Sequence, residues 1–224
     1  MKLGVVCSSG GGSLRAAFPL LASRGFKIHV VTDRPCPVEA WCAESSIDCR
    51  RIVDPDNAGF SRAALESLSA GGAPDAVVLF YLRIVTAPLV GAVPCFNLHP
   101  SLLPAFPGFG ALASMRRSGA RFFGATLHLA TEDVDAGPIL AQVCEPVPAS
   151  ADDPLLARRS FLHKTYLLLL LAESMESGAL QAGAMPRLRP GLPASANANP
   201  CLSSPPYREA MRAIAAEAGC AVFQ

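Results

Sequence analysis

Short apolar runs rich in β-branched residues alternate along the chain with longer stretches whose apolar positions recur at helical spacing. The first run is LGVVC (3–7); SSGGGS comes next, and Leu14, Ala17, Phe18 and Leu21 then share one helical face. The unit repeats three times: FKIHVVT (26–32) precedes a helix expected near 37–46, CRRIV (49–53) one near 59–70, and DAVVLFY (75–81) a short one near 86–91. VPCFNL (93–98) reads as the next strand. Strands alternating with helices predict a parallel sheet joined by right-handed crossovers.

After Gly108 the period changes. LASMRRSG has a helical pattern, whereas RFFGATLHLA (121–130) and PILAQVCEPV (138–147) alternate with period two and are joined through TEDVDAG, which predicts a β-hairpin. From Asp152 to Gly178 the pattern is that of one long helix, with five consecutive leucines at its centre and Gly178 placed for a C-cap. The fold class expected is therefore α/β: an open, Rossmann-type sheet, mostly parallel, with a C-terminal hairpin and a long C-terminal helix. Residues 1–182 form the expected catalytic domain. Residues 183–224, rich in Pro, Ser and Asn, read as an irregular surface tail ending in a small helix near 206–218.

Composition narrows the function. With 51% hydrophobic residues in 224 the chain can bury a full core. Its 19 basic and 18 acidic side chains give a net charge of +1, and no basic run marks a nucleic-acid or anionic-membrane surface. A small-molecule partner is the expectation, with no nucleic acid and no membrane. YLLLLLA (166–172) is about a third of the length needed to span a bilayer. Eight cysteines are scattered without a CxxC pair, which reads as reduced, mostly structural thiols in a cytoplasmic protein. Four histidines without paired ligand spacing suggest no metal. Nothing in the sequence sets the oligomeric state.

Three segments carry candidate chemistry. SSGGGS (8–13) lies between a strand and a helix, where free backbone N–H groups and the helix dipole favour an anion; it is neither GxGxxG nor a P-loop. By itself it is equally a flexible turn. In FNLHPSLLPAFPG (96–108), Asn97 and His99 are two apart at a strand end and so share a face, and Pro100, Pro104 and Pro107 stiffen the loop beyond them. Asp135 lies in an acidic turn before Gly137 and Pro138 that could be a plain solvated hairpin tip. Brought together, an Asn, a His and an Asp supply an oxyanion donor, a proton shuttle and a group that sets the shuttle's charge.

NLHPSLLPAFPG together with GATLHLATEDVDAGPIL resembles the folate-dependent formyltransferases, most closely the branch that formylates glycinamide ribonucleotide. The resemblance runs from the glycine loop to the end of the long helix. It implies a catalytic set of Asn97, His99 and Asp135, and 10-formyltetrahydrofolate as co-substrate. It also implies a folate contact made by Leu82, Arg83, Ile84 and Val85 with Thr131 and Val134. Gly10, Gly11, Gly12, Ser13 and His163 would face the acceptor, a small-molecule amine.

Two departures concern that acceptor. Gly12 and Ser13 stand where the ribotide-formylating branch has Ser-Asn, and Ser160 and His163 stand about where it carries a Gln and a Glu that hold the ribotide. The function implied is formyl transfer from 10-formyltetrahydrofolate to a primary amine, with an acceptor that can differ from glycinamide ribonucleotide. Formyltetrahydrofolate hydrolysis and non-catalytic folate binding are the alternatives.

Overall fold

The structure, a computed structural model, describes residues 1–149, 151–181 and 186–220. In chain order the first half holds β1 (Lys2–Cys7), α1 (Gly12–Ser23), β2 (Lys27–Thr32), α2 (Pro37–Glu44), β3 (Asp48–Arg51), α3 (Asn57–Leu68), β4 (Ala76–Phe80), α4 (Leu89–Ala92) and β5 (Cys95–His99). The second half holds α5 (Ala111–Ser118), β6 (Phe122–Leu129), β7 (Ile139–Pro146), α6 (Asp153–Glu176), β8 (Leu180–Gln181), β9 (Arg187–Leu188), β10 (Ala198–Asn199) and α7 (Pro205–Glu217). These elements form two compact units. One comprises residues 1–11, 22–97 and 129–138; the other comprises 12–21, 98–128 and the described residues from 139 onward.

In the first unit the strands run parallel in the order β3-β2-β1-β4-β5. This is the doubly wound arrangement, which leaves a crevice at the carboxyl ends of β1 and β4 where the direction of winding reverses. Val5, Val6, Val30, Val31, Ala76, Val77 and Val78 are all fully buried, as strands covered by helices on both faces require. Phe60, Ala64 and Leu68 of α3 close one face over Val6, Val31, Val77 and Leu79. That helix starts where Asp56 accepts a 2.7 Å hydrogen bond from the Gly59 N–H.

In the first unit strand and helix positions match the hydrophobic pattern closely, with one difference. The short helix expected near 86–91 shrinks to Leu89–Ala92, and within it Val90 and Gly91 leave helical geometry, Gly91 at φ +102°. Pro88 and Gly91 favour a turn here, so residues 82–87 reach α4 as a loop.

In the second unit β6 and β7 pair antiparallel with a register shift between Leu127 and His128. The long helix α6 begins where Asp152 accepts from the Leu155 N–H at 2.8 Å and ends with Gly178 in the left-handed region at φ +67°. Leu167 to Leu171 are each at most 2% exposed, so the leucine run is buried all round.

The described part of 183–224 belongs to the same unit as α6, whereas the sequence pattern sets it apart. Polar groups on α6 hold it there. The Tyr166 hydroxyl accepts from the Leu202 N–H at 2.8 Å, Tyr207 donates to Glu176 Oε2 at 2.9 Å, and β10 pairs with β7 through Ala198 and Val143. Glu173, 6% exposed, accepts from the Ser203 N–H (3.0 Å), the Ser203 hydroxyl (2.7 Å) and the Ser204 N–H at the start of α7. A carboxylate at a helix N-terminus meets both unsatisfied N–H groups and the positive end of the dipole.

Glu173→Ala should therefore leave several donors without a partner. We expect a loss of about 2–3 kcal/mol of unfolding free energy in urea titration, the scale for buried hydrogen bonds to a charged group, and a smaller loss for Glu173→Gln.

Candidate active site

Strand β5 carries Asn97 and His99 at its carboxyl end. The Asn97 side chain donates from Nδ2 to Asp135 Oδ1 at 3.0 Å. Asp135 reaches β5 because the chain returns to that strand just before the acidic turn, with the Ala130 N–H on the Cys95 carbonyl at 2.7 Å. The base of the turn is closed by the Leu129 N–H on the Pro138 carbonyl at 2.9 Å. The turn is tight at Gly137, where a Cβ would lie 1.8 Å from the Leu129 carbonyl oxygen. Asp135 itself takes φ +54°.

His99 is 4% exposed and its Nε2 lies 2.9 Å from the Phe106 carbonyl. A carbonyl only accepts, so Nε2 carries the proton. Phe106 also sits at positive φ, +56°. Among the described residues the non-glycine positions in the left-handed region are Ser46, Phe106 and Asp135, so two of them are the residues bonded to His99 and Asn97. Such conformations cost about 1 kcal/mol or more and persist where surrounding contacts over-determine them.

Around Phe106 those contacts come from residues that sequence reasoning passed over. Ser101 donates to the Ala105 carbonyl at 2.6 Å, Thr126 donates to the Ser101 carbonyl at 2.7 Å and accepts from the Leu103 N–H at 3.0 Å, and Gln142 donates to the Leu103 carbonyl at 2.9 Å. Their signal was available. Thr126 and Gln142 are polar residues that interrupt the apolar alternation of β6 and β7, and they pair directly across the two strands.

Of the six residues expected to contact folate, three present apolar surface: Leu82 is 54% exposed, Ile84 42% and Val134 51%. The other three are braces. Val85 is buried in the core. Arg83 lies over the Phe60 ring and donates to the carbonyls of Asp54 and Pro55 and to the Asn57 side chain. Thr131 donates to the Asp133 carbonyl. The Thr86 N–H donates to Ser61 Oγ, and the Ala87 N–H donates to Glu132 Oε1 at 3.2 Å, which ties the 82–87 loop to the acidic turn.

In the glycine loop Gly11 takes φ +60° with its α-carbon turned onto Val38, while no atom would meet a Cβ at Gly10 within 4 Å. Gly12 opens α1, and Ser13 is buried with its hydroxyl on the Phe161 carbonyl at 3.4 Å. Among the described residues no group of His, Cys, Asp and Glu side chains could hold a metal ion.

Comparison with known proteins gives the family. A family model described as formyl transferase matches residues 5–169. The chain belongs to the formyl transferase family. It is 33% identical over 173 residues to a phosphoribosylglycinamide formyltransferase of Mycobacterium tuberculosis, an overlap of 74% of this chain and 80% of that protein. The solved structure of glycinamide ribonucleotide transformylase 1 from Symbiobacterium toebii superposes with a TM-score of 0.76 at 29% identity, covering 84% of this chain and 94% of the other. That from Geobacillus kaustophilus gives 0.67 at 30% identity, covering 74% and 93%. The protein is a folate-dependent formyltransferase, with 10-formyltetrahydrofolate as co-substrate.

Between α6 and β7 the formyltransferase holds polar groups inside. His163 is fully buried, its ring tilted against Phe123 and its Nε2 3.2 Å from Glu145 Oε1. Arg159 donates to Glu145 Oε2 at 3.1 Å, and Ser160 is 5% exposed. Glu145 and Arg159 were also passed over in the sequence, although a Glu at an inward position of β7 and an Arg one turn before His163 are the mark of a buried ion pair.

Gly137→Ala tests the turn of this formyltransferase. The added methyl must push the turn off Leu129, so Asp135 should lose Asn97 and turnover should fall by at least about tenfold while the circular dichroism spectrum stays native; unchanged kcat would mean that Asp135 needs no fixed place.

Proposed function

We propose that Asn97, His99 and Asp135 are the catalytic set of this formyltransferase and that its acceptor is a primary amine on an anionic small molecule other than glycinamide ribonucleotide. The observation that carries the catalytic part is the 3.0 Å bond from Asn97 to Asp135 at the end of β5, with His99 two residues further along the same strand. The amine nitrogen attacks the formyl carbon and the carbonyl oxygen becomes an oxyanion. Asn97, whose second amide N–H is not given to Asp135, donates to that oxygen; one positioned donor of this kind is worth about 3 kcal/mol. His99 takes the proton that the attacking amine loses and returns it to the folate nitrogen that leaves. With Nε2–H fixed on the Phe106 carbonyl, Nδ1 is the nitrogen through which that proton passes.

Leu82, Ile84 and Val134 offer the apolar surface for the folate ring, and the braced backbone of 82–87 offers its polar groups. The backbone of Gly10 to Ser13 is the proposed contact for the acceptor's anion. The argument against glycinamide ribonucleotide is the burial of Ser160 and His163, which leaves neither side chain to pair ribose hydroxyls. Each unpaired hydroxyl costs roughly 1–3 kcal/mol. All eight cysteines are free thiols, and no helix among the described residues is long and apolar enough to cross a membrane; both fit the cytoplasmic location we propose.

Release of tetrahydrofolate from 10-formyltetrahydrofolate, monitored with a panel of phosphorylated primary amines, tests the reading. His99→Ala, Asn97→Ala and Asp135→Ala should each lower kcat by about a hundredfold or more; near-normal turnover of the His99 variant would sink the mechanism. Glycinamide ribonucleotide should be formylated with kcat/KM below about 10⁴ M⁻¹s⁻¹, the ordinary lower bound for a native substrate. A higher value would return the acceptor to that ribotide, and formate release without any amine would mark a hydrolase.

A further inference from the structure

At the crevice between the ends of β1 and β4 a side chain takes over from the backbone. The ladder pairs Cys7 with Phe80, and the Ser8 N–H continues it onto the Phe80 carbonyl at 3.1 Å. In a parallel ladder the next bond would run from the Leu82 N–H to the Ser8 carbonyl. There the chain turns into the glycine loop, and the Leu82 N–H instead lies 3.4 Å from Ser8 Oγ. The Ser8 hydroxyl is oriented to accept because its own proton goes to Asp33 Oδ1 at 2.8 Å. Asp33, 8% exposed at the end of β2, is in turn gripped by Arg34, whose Nη2 donates to Oδ2 at 2.6 Å and whose Nε lies 3.0 Å from Oδ2 and 3.1 Å from Oδ1. Burial opposes ionisation of this carboxyl, but the Arg34 and Ser8 hydrogen bonds outweigh it and hold Asp33 below the ordinary carboxylate range.

We infer that Ser8, oriented by the Asp33–Arg34 pair, is a positioning residue that sets the place of Leu82 and with it the folate-binding surface. The inference rests on the proposed folate contact at residues 82–85. The chain of bonds joins the ends of β2, β1 and β4, and each link points one way. Arg34 fixes the carboxylate, the carboxylate takes the serine proton, and the serine oxygen is left to receive the Leu82 amide. The exposed Leu82 side chain sits on the residue so held. The rest of the loop is held separately, by Arg83 on Asp54, Pro55 and Asn57 and by Ser61 and Glu132, so loss of Ser8 loosens Leu82 alone.

The test uses the full-length enzyme and tetrahydrofolate as the probe. In Ser8→Ala the dissociation constant for tetrahydrofolate and the KM for 10-formyltetrahydrofolate should both rise about tenfold, the effect of taking the partner from one part-buried amide. The kcat should stay within about threefold and the acceptor KM should not move. Ser8→Thr, which keeps the hydroxyl, should restore both constants, and amide exchange at Leu82 should quicken in Ser8→Ala without folate present. Asp33→Asn should act in the same direction, and adding it to Ser8→Ala should cost nothing further if the two act through one chain. A Ser8→Ala enzyme with wild-type folate affinity and wild-type exchange at Leu82 would overturn the inference. Faster exchange at Leu82 without any change in folate affinity would overturn it too, leaving the bond as structure only. Failure of the wild-type enzyme to bind tetrahydrofolate would overturn the folate reading itself, and the inference with it.

Discussion

The hydrogen bond from Asn97 to Asp135 depends on a close return of the chain. Between Asn97 and Asp135 the chain leaves β5, forms α5 and β6, and comes back to the same strand with Ala130 bonded to Cys95. The return works only because the turn after it is very tight: Gly137 lets the backbone pass under the Leu129 carbonyl where a side chain would collide. Asp135 is then held in a left-handed conformation that most residues avoid. The bonds that close the turn hold it there, so the carboxylate has one place to be. Catalysis by positioned groups needs that fixity, because a displacement on the order of 1 Å can cost a hundredfold in rate.

Polar groups buried along α6 meet a different constraint. An ionised group taken out of water must find partners or cost several kcal/mol. The helix answers this twice. Near its start Arg159 and His163, one turn apart, meet Glu145 of β7. Further along, Tyr166 and Glu173 use the backbone and side chains of residues 202–204. The segment after α6 is therefore part of the helix's solvation and replaces water that the buried carboxylate and hydroxyl would otherwise require.

The pattern of apolar positions was enough to give the strands β1 to β7, most of the helices between them and the parallel sense of the first unit's strands, because each rests on local periodicity and on the rule that consecutive strands joined by helices lie parallel. The family resemblance grouped Asn97, His99 and Asp135 and gave Asp135 the part of setting the charge on His99; the bond from Asn97 to Asp135 came from the structure. Other features were less legible. Thr126 and Gln142 stand out as polar positions in apolar strands, but what they brace shows only once the fold sets them against Ser101 and Leu103, and Ser8 reads as loop until the end of β4 arrives beside it.

The sequence by itself determined which segments are helix and strand, which family motif they carry and which residue types are present for chemistry. These depend on properties local to a few consecutive residues. Only the tertiary structure decided where the polar groups find their partners: His163 on Glu145 inside the protein, Glu173 on the start of α7, Asp33 on Arg34 and Ser8. Such partners lie far apart in sequence or depend on which way a side chain turns. The energy that selects them, the desolvation of a buried polar group set against the bonds it regains, exists only once the chain has closed around them.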